Sequence, residues 1–448
     1  MKDLPKGWIS ASLGDIANVQ SGVGFPKKYQ GVLDAEYPVY KVGDVSRAYL
    51  KNKANLYIAE NTVSEETANL LKGKIFNEGS VLFAKIGEAL KLNRRVIVTK
   101  SGLADNNVMG VTAKLKESEK YIYRFLQYFD VASLSRSTTV PSIRKSDVEE
   151  ILIPFPPLNE QIRIADKLDS ILAKVNKAQS RLDKIPAILK RFRQSVLAAA
   201  TSGELTKEWR EFNKVDKGSW QQFSIDELSS RAFDGPFGSK LKTADYTEFG
   251  VKVVRLENIG HLTFKGDKET FISEKKYQDL IKNTLEHNDI LFSSFVDEEI
   301  RTCLFEARDN TYINKADCFC IRVSGEKISP KFLMYNLGCK HTFDKIKKQV
   351  HGVTRPRINL RFLKSFEVSV PTIEEQIRIV EIIDALFHKA AKVEAQFLET
   401  KSKLDRLTQS ILAKAFRGEL VSQSDKDESA EALLKRIKVE SPKVKSNK

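Results

Sequence analysis

Cysteine and histidine are scarce, and their positions argue against a metal site. The chain holds four cysteines, at positions 303, 318, 320 and 339. Only Cys318 and Cys320 are close in sequence, and on a strand both would point to the same face, whereas zinc sites favour a pair separated by two residues. The five histidines all lie in the second half of the chain without the spacing of metal ligands. We therefore predict buried free thiols and no metal.

Long apolar runs are also absent. The longest are the length of a strand, too short to cross a membrane as a helix. Residues 1–5 do not begin a leader in which a basic stretch precedes an apolar one. With 41% hydrophobic and 30% charged residues, the composition is typical of a folded globular chain. We predict a cytoplasmic protein of several domains without a membrane anchor.

Acidic residues are too few to balance the basic ones. Asp and Glu total 59 against 74 Lys and Arg, so the formal net charge is +15. An excess of this size favours a partner that carries phosphate groups. A basic protein without such a partner is the alternative that charge alone leaves open.

Motifs of motor and methyl-transfer proteins are missing as well. We find no Gly-x4-Gly-Lys-Ser/Thr phosphate loop, no Phe-x-Gly-x-Gly strand for a methyl donor, and no clear Asp...Glu-x-Lys nuclease cluster. Residues 234–237, Asp-Gly-Pro-Phe, are similar to the Asp/Asn-Pro-Pro-Tyr/Phe loop of amino-methyltransferases but lack the adjacent prolines. A tight turn that needs Gly and Pro explains this loop equally well.

One stretch of the chain is written twice. Residues 160–164 read Glu-Gln-Ile-Arg-Ile, and residues 375–379 repeat all five at an offset of 215 (375 − 160). The same offset relates the Gly-Glu-Leu at 203–205 to the Gly-Glu-Leu at 418–420. A repeat this regular predicts two copies of one structural unit.

Apolar residues in the repeated stretch recur at alternating steps of four and three, the spacing of a coiled-coil seam. Leu168 and Leu189 lie on the first seam, and Ile383 and Leu404 on the second. Some 40 residues of helix would be roughly 60 Å long. We predict that the two helices pair antiparallel and give the chain an internal pseudo-two-fold; parallel pairing is the alternative. Pro186 should kink or divide the first helix two residues before it.

A globular segment precedes each helix, and the two segments follow one plan. Short apolar runs between polar turns predict strands, and an apolar stripe at 121–129 predicts a helix. The glycine-rich loop at 21–26 returns at 234–238. The fold class is therefore α+β, with two similar mixed α/β domains joined by two long helices that form an antiparallel coiled coil. The predicted boundaries are 1–155 for the first domain, 156–205 for the central spacer helix, 206–370 for the linker and second domain, 371–420 for the C-terminal spacer helix and 421–448 for a charged tail that we expect to be partly disordered.

The two globular segments keep their frame but differ in their loops, which favours recognition rather than catalysis. Arginine and lysine can bind phosphate or a guanine edge, and glutamate can accept from a cytosine amino group. An ordinary solvated turn is the alternative at each position. The candidate DNA-binding residues lie in three places: after a strand that both segments share, beside the Thr-x-Pro-x-Ile elements at 139–143 and 354–358, and after the second glycine loop. They are Lys91, Arg94, Arg95, Arg136, Arg144, Lys240, Lys242, Glu298, Arg301, Arg355 and Arg357.

With the repeat and its two Glu-Gln-Ile-Arg-Ile helix starts, the sequence resembles the specificity subunit of type I restriction-modification enzymes. The resemblance covers nearly the whole chain. It rests on residues 157–164 and 371–379, the two Gly-Glu-Leu ends and the Asp-Gly-Pro-Phe-Gly-Ser loop at 234–239. It implies two target recognition domains that each read half of a bipartite double-stranded DNA site, with the helices as a ruler between them and no catalytic residue in this chain.

The resemblance also implies a prokaryotic complex. Two methyltransferase subunits would bring S-adenosylmethionine, and restriction subunits would use ATP and Mg to translocate and cleave DNA. The Glu-Gln pairs are the candidate partner surface, with helix capping as the alternative. A self-contained DNA methyltransferase and a coiled-coil scaffold that does not bind DNA remain the alternative functions. The predicted partner or structural residues are Glu160, Gln161, Arg163, Leu168, Leu189, Glu375, Gln376, Arg378, Ile383 and Leu404.

Overall fold

The computed structural model describes residues 4–135, 139–306, 310–350 and 356–440. The chain forms two compact units; the first combines two separate segments of the chain, and the second is one continuous segment. Unit 1 comprises Met1–Leu182 and Glu399–Lys448, and unit 2 comprises Asp183–Leu398. Each unit therefore contains one globular segment together with part of each repeated helical stretch. The boundaries between the units fall inside the helical stretches rather than at the ends of the globular segments.

Unit 1 is built on three small sheets. Its strands are β1 (Ile9–Ser12), β2 (Ala17–Ser21), β3 (Tyr37–Tyr40), β4 (Asn55–Leu56), β5 (Thr62–Val63), β6 (Val81–Ala84), β7 (Val96–Val98), β8 (Leu103–Ala104), β9 (Val108–Ala113) and β10 (Leu152–Phe155). They form a five-stranded sheet in the order β2-β9-β6-β7-β4, a three-stranded sheet in the order β5-β3-β8, and an antiparallel pair β1-β10. The central strand β6 is buried along its whole length, which explains its uninterrupted apolar sequence.

The helices of unit 1 join these strands and start the first repeated stretch. They are α1 (Leu13–Ile16), α2 (Val42–Lys51), α3 (Glu65–Leu70), α4 (Glu88–Lys91), α5 (Glu119–Tyr128), α6 (Lys145–Glu149) and α7 (Leu158–Leu182). The predicted helix over 121–129 is thus confirmed as α5. Helix α1 begins after Ser12, whose hydroxyl accepts from Asp15 N at 3.1 Å. This cap satisfies one of the free amide groups at a helix start.

Unit 2 repeats the sheets of unit 1. Its strands are β11 (Gln221–Ser224), β12 (Ser229–Phe233), β13 (Tyr246–Thr247), β14 (Val251–Val254), β15 (Phe271–Ile272), β16 (Ile290–Ser293), β17 (Thr302–Leu304), β18 (Tyr312–Asn314), β19 (Cys318–Val323) and β20 (Glu367–Val370). The order β12-β19-β16-β17 matches β2-β9-β6-β7, and the pair β11-β20 matches β1-β10. The duplication predicted from the sequence is confirmed at the level of strand order.

The remaining helices include the second part of the first repeated stretch and the whole of the second. They are α8 (Ile185–Thr201), α9 (Lys207–Asn213), α10 (Ile225–Leu228), α11 (Glu274–Leu280), α12 (Pro330–Gly338), α13 (Lys340–Lys347), α14 (Leu360–Lys364), α15 (Ile373–Phe416) and α16 (Ala430–Glu440). The first repeated stretch is divided between Leu182 and Ile185, as Pro186 predicts, because proline is tolerated only in the first turn of a helix. The second copy, without that proline, is one helix of 44 residues.

Within each unit the two repeated stretches run antiparallel. In the core of unit 1, Leu168 near the start of α7 joins Phe416 at the end of α15. In the core of unit 2, Leu197 near the end of α8 joins Ile383 near the start of α15. The middle of the predicted seam is less buried than its ends, and Val393 is exposed. Two helices alone leave part of a wide apolar stripe uncovered.

The tail is better ordered than the sequence suggests. We expected residues 421–448 to be partly disordered, but α16 packs on unit 1 through Ala430, Leu433 and Ile437, all of them buried. Lys438 also pairs with Asp15 at 3.1 Å. Residues 430–440 form a helix because an apolar stripe at helical spacing lies among the charges, whereas residues 441–448 lie outside the described residues.

Two expectations from composition can be compared directly with the structure. The four cysteines are free and buried, as predicted. Burial raises the pKa of the Cys303 thiol to about 12, which keeps it protonated and unreactive. Among the described residues, no helix combines the length and the apolar character needed to cross a membrane.

Candidate nucleic-acid interface

In unit 1, the loop after β6 is bonded to the segment that contains the Thr-x-Pro-x-Ile element. Gly87 N donates to Pro141 O at 2.7 Å, and Ile143 N donates to Lys85 O at 3.0 Å. These two bonds hold the loops in register as a short ladder, so the candidates on both loops lie on one surface. The sequence alone did not predict that the two groups of candidates would meet.

The glycine loop of unit 1 lies next to the same surface. Lys85 N donates to Asn107 O at 2.9 Å, and Val23 N donates to Ala104 O at 2.9 Å, so the segment before β9 connects the two loops. A Cβ atom at Gly22 would overlap the backbone oxygens of this segment. Glycine is required there because only a residue without a side chain permits so close an approach. We call residues 22–26, 85–95, 104–107 and 141–144 the loop surface of unit 1.

Unit 2 repeats three of these four main-chain bonds; the bond from Val23 has no counterpart, because Pro236 at the matching position lacks an N–H group. Val296 N donates to Pro356 O at 2.9 Å, and Ile358 N donates to Ser294 O at 2.9 Å. Ser294 N donates in turn to Asp317 O at 2.9 Å, which corresponds to the bond made by Lys85 in unit 1. We call residues 234–239, 294–301, 315–317 and 356–358 the loop surface of unit 2.

Asp234 anchors the glycine loop of unit 2. Its Oδ1 accepts from Gly235 N at 2.7 Å and from Asp317 N at 2.9 Å. Burial raises the pKa of Asp234 to about 6, and the nearby Asp317 carboxylate adds to the rise, although the two amide donors oppose it. A Cβ atom at Gly235 would overlap the backbone of Lys315. The loop is therefore fixed tightly against the strand end beneath it.

Three predicted DNA-binding residues of unit 1 lie on the loop surface with their charges accessible. Lys91 is exposed and pairs with Glu88 at 2.7 Å, a surface ion pair that costs little to separate. Arg94 is partly exposed, with its guanidinium 6.0 Å from the centre of the Tyr49 ring. Arg144 is exposed at the start of α6. The surface therefore offers cations to a phosphate or a base edge.

Arg95 requires a correction, because it is only 1% exposed. Its Nε donates to Leu126 O at 3.1 Å, its other nitrogens donate to Arg94 O and the Asn93 side chain, and its Cζ lies 4.7 Å from the centre of the Phe83 ring. Burial lowers the pKa of Arg95 to about 9. This guanidinium supports the loop from inside and cannot reach DNA in this conformation.

In unit 2 the exposed candidates have both signs of charge. Glu298 and Arg357 are exposed on the loop surface, and Lys240 and Lys242 are exposed immediately after the glycine loop. Arg301 is only partly exposed, because its guanidinium donates to Leu256 O at 3.1 Å and Ser293 Oγ at 3.0 Å. Arg301 therefore supports the loop, and its role as a DNA contact stays a prediction. The candidates Arg136 and Arg355 lie outside the described residues.

Sequence reasoning also missed accessible residues beside the glycine loops. Lys27 and Lys28 are exposed just after the loop of unit 1, and Phe237 is exposed within the loop of unit 2. The sequence signal for Phe237 was its place in a short loop rich in glycine and proline. Such a loop fixes the backbone and can leave an apolar side chain exposed.

Two copies of a family model for the type I restriction modification DNA specificity domain match residues 5–187 and 218–400. The chain belongs to this family. It is 28% identical to the EcoBI specificity subunit of Escherichia coli, over 97% of this chain and 92% of the relative. It is 33% identical to the EcoDI specificity subunit of Escherichia coli, over 68% of this chain and 72% of the relative.

Two solved structures share the fold of this chain, although their sequence identity to it is low. A chain from work on complex assembly and conformational transition of the type I R-M system matches with a TM-score of 0.68 and 18% identity, over 94% of this chain and 100% of the other. The HsdS subunit from Thermoanaerobacter tengcongensis matches with a TM-score of 0.52 and 18% identity, over 93% and 98%. At this identity the likeness concerns the fold alone.

The Glu-Gln pair of the second repeat is buried and does not form a partner surface. Glu375 Oε1 accepts from Thr206 Oγ1 at 2.6 Å and from Arg210 at 2.5 Å, and its Oε2 accepts from Trp220 Nε1 at 3.0 Å. Gln376 donates to Pro371 O at 2.9 Å. The predicted partner role is corrected: these side chains fasten the helix to its own unit, and the linker supplies two of the donors.

The first Glu-Gln pair is buried too, but it has fewer partners. Gln161 Nε2 donates to Pro156 O at 2.9 Å. In the described part of the chain, Glu160 Oε1 and Gln161 Oε1 have no hydrogen-bond partner. Burial raises the pKa of Glu160, and the nearby Trp8 indole and Arg163 oppose that shift. The partner role is corrected here for the same reason, because neither side chain is accessible.

The other predicted partner or structural residues divide by location. Leu168, Leu189 and Ile383 are buried, whereas Leu404 is partly exposed. Arg163 binds the tail through Asp427 at 2.7 Å. Arg378, its counterpart in the second repeat, pairs with Glu381 one turn further along the same helix at 3.0 Å. The shared sequence at the two helix starts therefore reproduces the glutamine bond but not the contacts of the glutamate and the arginine.

Proposed function

We propose that this chain is the DNA-reading subunit of a type I restriction-modification complex. The globular part of each unit would recognise one half of a bipartite double-stranded site. The observation that carries the proposal is the loop surface built twice by three matching main-chain bonds but with different exposed side chains. Lys91 and Arg94 suit phosphate or guanine in one half-site, and Glu298 beside Arg357 suits a different base pair in the other.

The net charge supports DNA as the ligand. An excess of 15 positive charges favours a polyanion, and phosphate contacts release counterions from the duplex. Binding should therefore weaken steeply with salt, while a few base-edge contacts decide which sequence is bound. Lys91→Ala should lower affinity for all sequences to a similar degree if this lysine contacts phosphate. A change of sequence preference in that variant would assign it to a base instead.

Catalysis is proposed to reside in partner subunits rather than in this chain. Two methyltransferase subunits would supply S-adenosylmethionine, and restriction subunits would supply ATP- and Mg-dependent translocation and cleavage, in a prokaryotic cytoplasm. A candidate surface for a helical partner lies on the long helices of unit 2 and includes four of their exposed large apolar side chains. They are Ile188, Phe192, Val393 and Leu398. Ile188 and Phe192 are four residues apart and share one face of α8, and an exposed apolar face is typical of interaction sites.

A domain exchange tests the proposal. Replacing residues 1–150 by the equivalent segment of another family member should change one half of the methylated sequence and leave the other unchanged. Methylation-sensitive sequencing of a host that carries the complete system provides the measurement. An unchanged methylation pattern would contradict the proposal. Binding of S-adenosylmethionine by the purified chain alone would instead favour a self-contained methyltransferase.

A further inference from the structure

The glycine loop of unit 2 presents one aromatic ring to solvent. Phe237 is 58% exposed, although the residues on both sides of it are fixed. Pro236 before it is buried, and Leu241 after it is 1% exposed. Lys240 N and Leu241 N both donate to Phe237 O, at 2.8 and 3.2 Å. The backbone that carries the ring is therefore a closed turn with an anchor at each end.

The anchor on the amino-terminal side is the polar, partly buried residue Asp234. Asp234 accepts the two amide donors described above, and its own carbonyl oxygen accepts from Asn283 Nδ2 at 3.0 Å. Asn283 Nδ2 also donates to Asn314 Oδ1 at 3.2 Å, and Asn314 is fully buried. A ring on a backbone fixed in this way loses little conformational entropy when it makes a contact.

The charges around Phe237 favour a polyanion over an apolar protein surface. Between Pro236 and Thr243 the only charged residues are Lys240 and Lys242, and both are exposed. The carboxylate nearest in sequence, Asp234, is turned inward to the amides of Gly235 and Asp317, and that of Asp245 accepts from Lys242 N at 2.6 Å. An exposed aromatic ring between a fixed turn and two lysines combines a stacking surface with two phosphate ligands.

We propose that Phe237 is an apolar wedge that stacks on a base of the half-site read by unit 2, with Lys240 and Lys242 on the flanking phosphates. The proposal rests on the proposed function, because it needs DNA at the loop surface. Wedges of this kind unstack one base step and kink the duplex. The loop of unit 1 lacks the wedge: when Gly22 is matched to Gly235, the position of Phe237 is taken by Gly24, which is exposed.

The test uses the full chain assembled with its methyltransferase partner and duplexes that carry the site found by methylation sequencing. A 2-aminopurine base is placed in turn at each position of both half-sites, because its fluorescence rises when it is unstacked. The methyltransferase itself flips the bases that it methylates, so these are set aside. Among the other positions we expect one to brighten, in the half-site read by unit 2 only. Phe237→Ala should abolish that signal and weaken binding about ten-fold, in line with the loss of one stacked base.

Matched variants separate the outcomes. Phe212→Ala removes another exposed phenylalanine of unit 2, on α9 away from the loop surface, and should leave binding and fluorescence unchanged. Phe237→Tyr should retain the signal. Wild-type affinity and fluorescence in Phe237→Ala would overturn the wedge, as would loss of assembly with the methyltransferase, which would assign the ring to a protein contact. Absence of specific binding by the wild-type complex would instead contradict the proposed function.

Discussion

Glu160 and Glu375 occupy the same position of the repeat, yet their surroundings have opposite charge patterns. In unit 2 the helix start supplies the anion, Glu375, and the linker supplies the cation, Arg210. In unit 1 the helix supplies the cation, Arg163, and the tail supplies the anion, Asp427. The two copies of the fold therefore use oppositely charged residues to attach the following segment, the linker or the tail, to a helix start.

The reversal has a physical use. At the repeat offset, the tail carries Asp425 where the linker carries Arg210, and Val421 where the linker carries Thr206. A tail with these residues has no donor for a buried glutamate and would place a second carboxylate beside it. Like charges brought together in this way discriminate against the wrong partner. We infer that the opposite charges direct the linker and the tail to their own helix starts.

The largest effect is expected from Glu375→Gln. This change leaves Arg210 buried without its anionic partner, and breaking a buried pair costs about 3–5 kcal/mol. Hydrogen exchange should accelerate at the start of α15 and in the linker, because the two units need not unfold together. The matched control is Glu160→Gln. Equal effects of the two variants would contradict the difference between the two helix starts.

The attachment of the tail can be tested by Leu433→Ala. Leu433 is fully buried in the core of unit 1, and truncating a buried leucine costs about 2–3 kcal/mol when the site can partly collapse. Exchange should increase in α16 and in α1, which it contacts. Val439→Ala is the control, since Val439 is 84% exposed. Unchanged protection of α16 in Leu433→Ala would show that the charged contacts alone hold the tail.

A smaller effect is expected from Asp427→Asn. The hydrogen bond from Arg163 lowers the pKa of Asp427, so the carboxylate is bound in its charged form. Its contribution to stability is present above the ordinary aspartate pKa of about 3.9 and is lost as the pH falls through the lowered value. The asparagine variant should show weakened protection of α16 at neutral pH and no further loss on acidification. A wild-type acid response in the variant would exclude Asp427 as its source.

The smallest change is expected from Glu160→Gln. Because burial raises the pKa of Glu160, the stability that its protonated form confers is fully present below about pH 4.3 and is lost as the pH rises through the raised value. The glutamine variant should be unchanged or slightly more stable at pH 7, within about 1 kcal/mol. Its α7 amides should lose the pH dependence seen in the wild type. A marked destabilisation at pH 7 would mean that the charged carboxylate has an essential partner.

The duplicated architecture was predictable because the sequence repeats at a constant offset and its apolar residues recur at helical spacing. The helix starts, the seams and the break before Pro186 follow from spacing and from the missing amide of proline. The individual contacts were not predictable. Glu160 and Glu375 are followed by the same four residues, but the donors to Glu375 come from segments that lie far away along the chain, such as the linker around Arg210.

The candidate site illustrates the same limit within one loop. Arg94 and Arg95 are adjacent, and the sequence gives no reason to separate them. At the entrance to a strand, successive side chains point to opposite sides, so Arg94 lies beside Tyr49 while Arg95 turns inward to Phe83. Only the fold reveals which of the two is accessible.

The buried position of Arg95 also has a consequence for attempts to redirect this chain to new DNA sequences. A library that randomised every cation of the 85–95 loop would mostly yield unfolded chains, because Arg95 fills the space between Phe83 and the end of α5. Holding Arg95 and Arg301 constant while varying Lys91, Arg94 and Glu298 confines the diversity to side chains that face solvent. Arg95 and Arg301 therefore separate the side chains of each loop surface that can be exchanged from those that hold the loop in place.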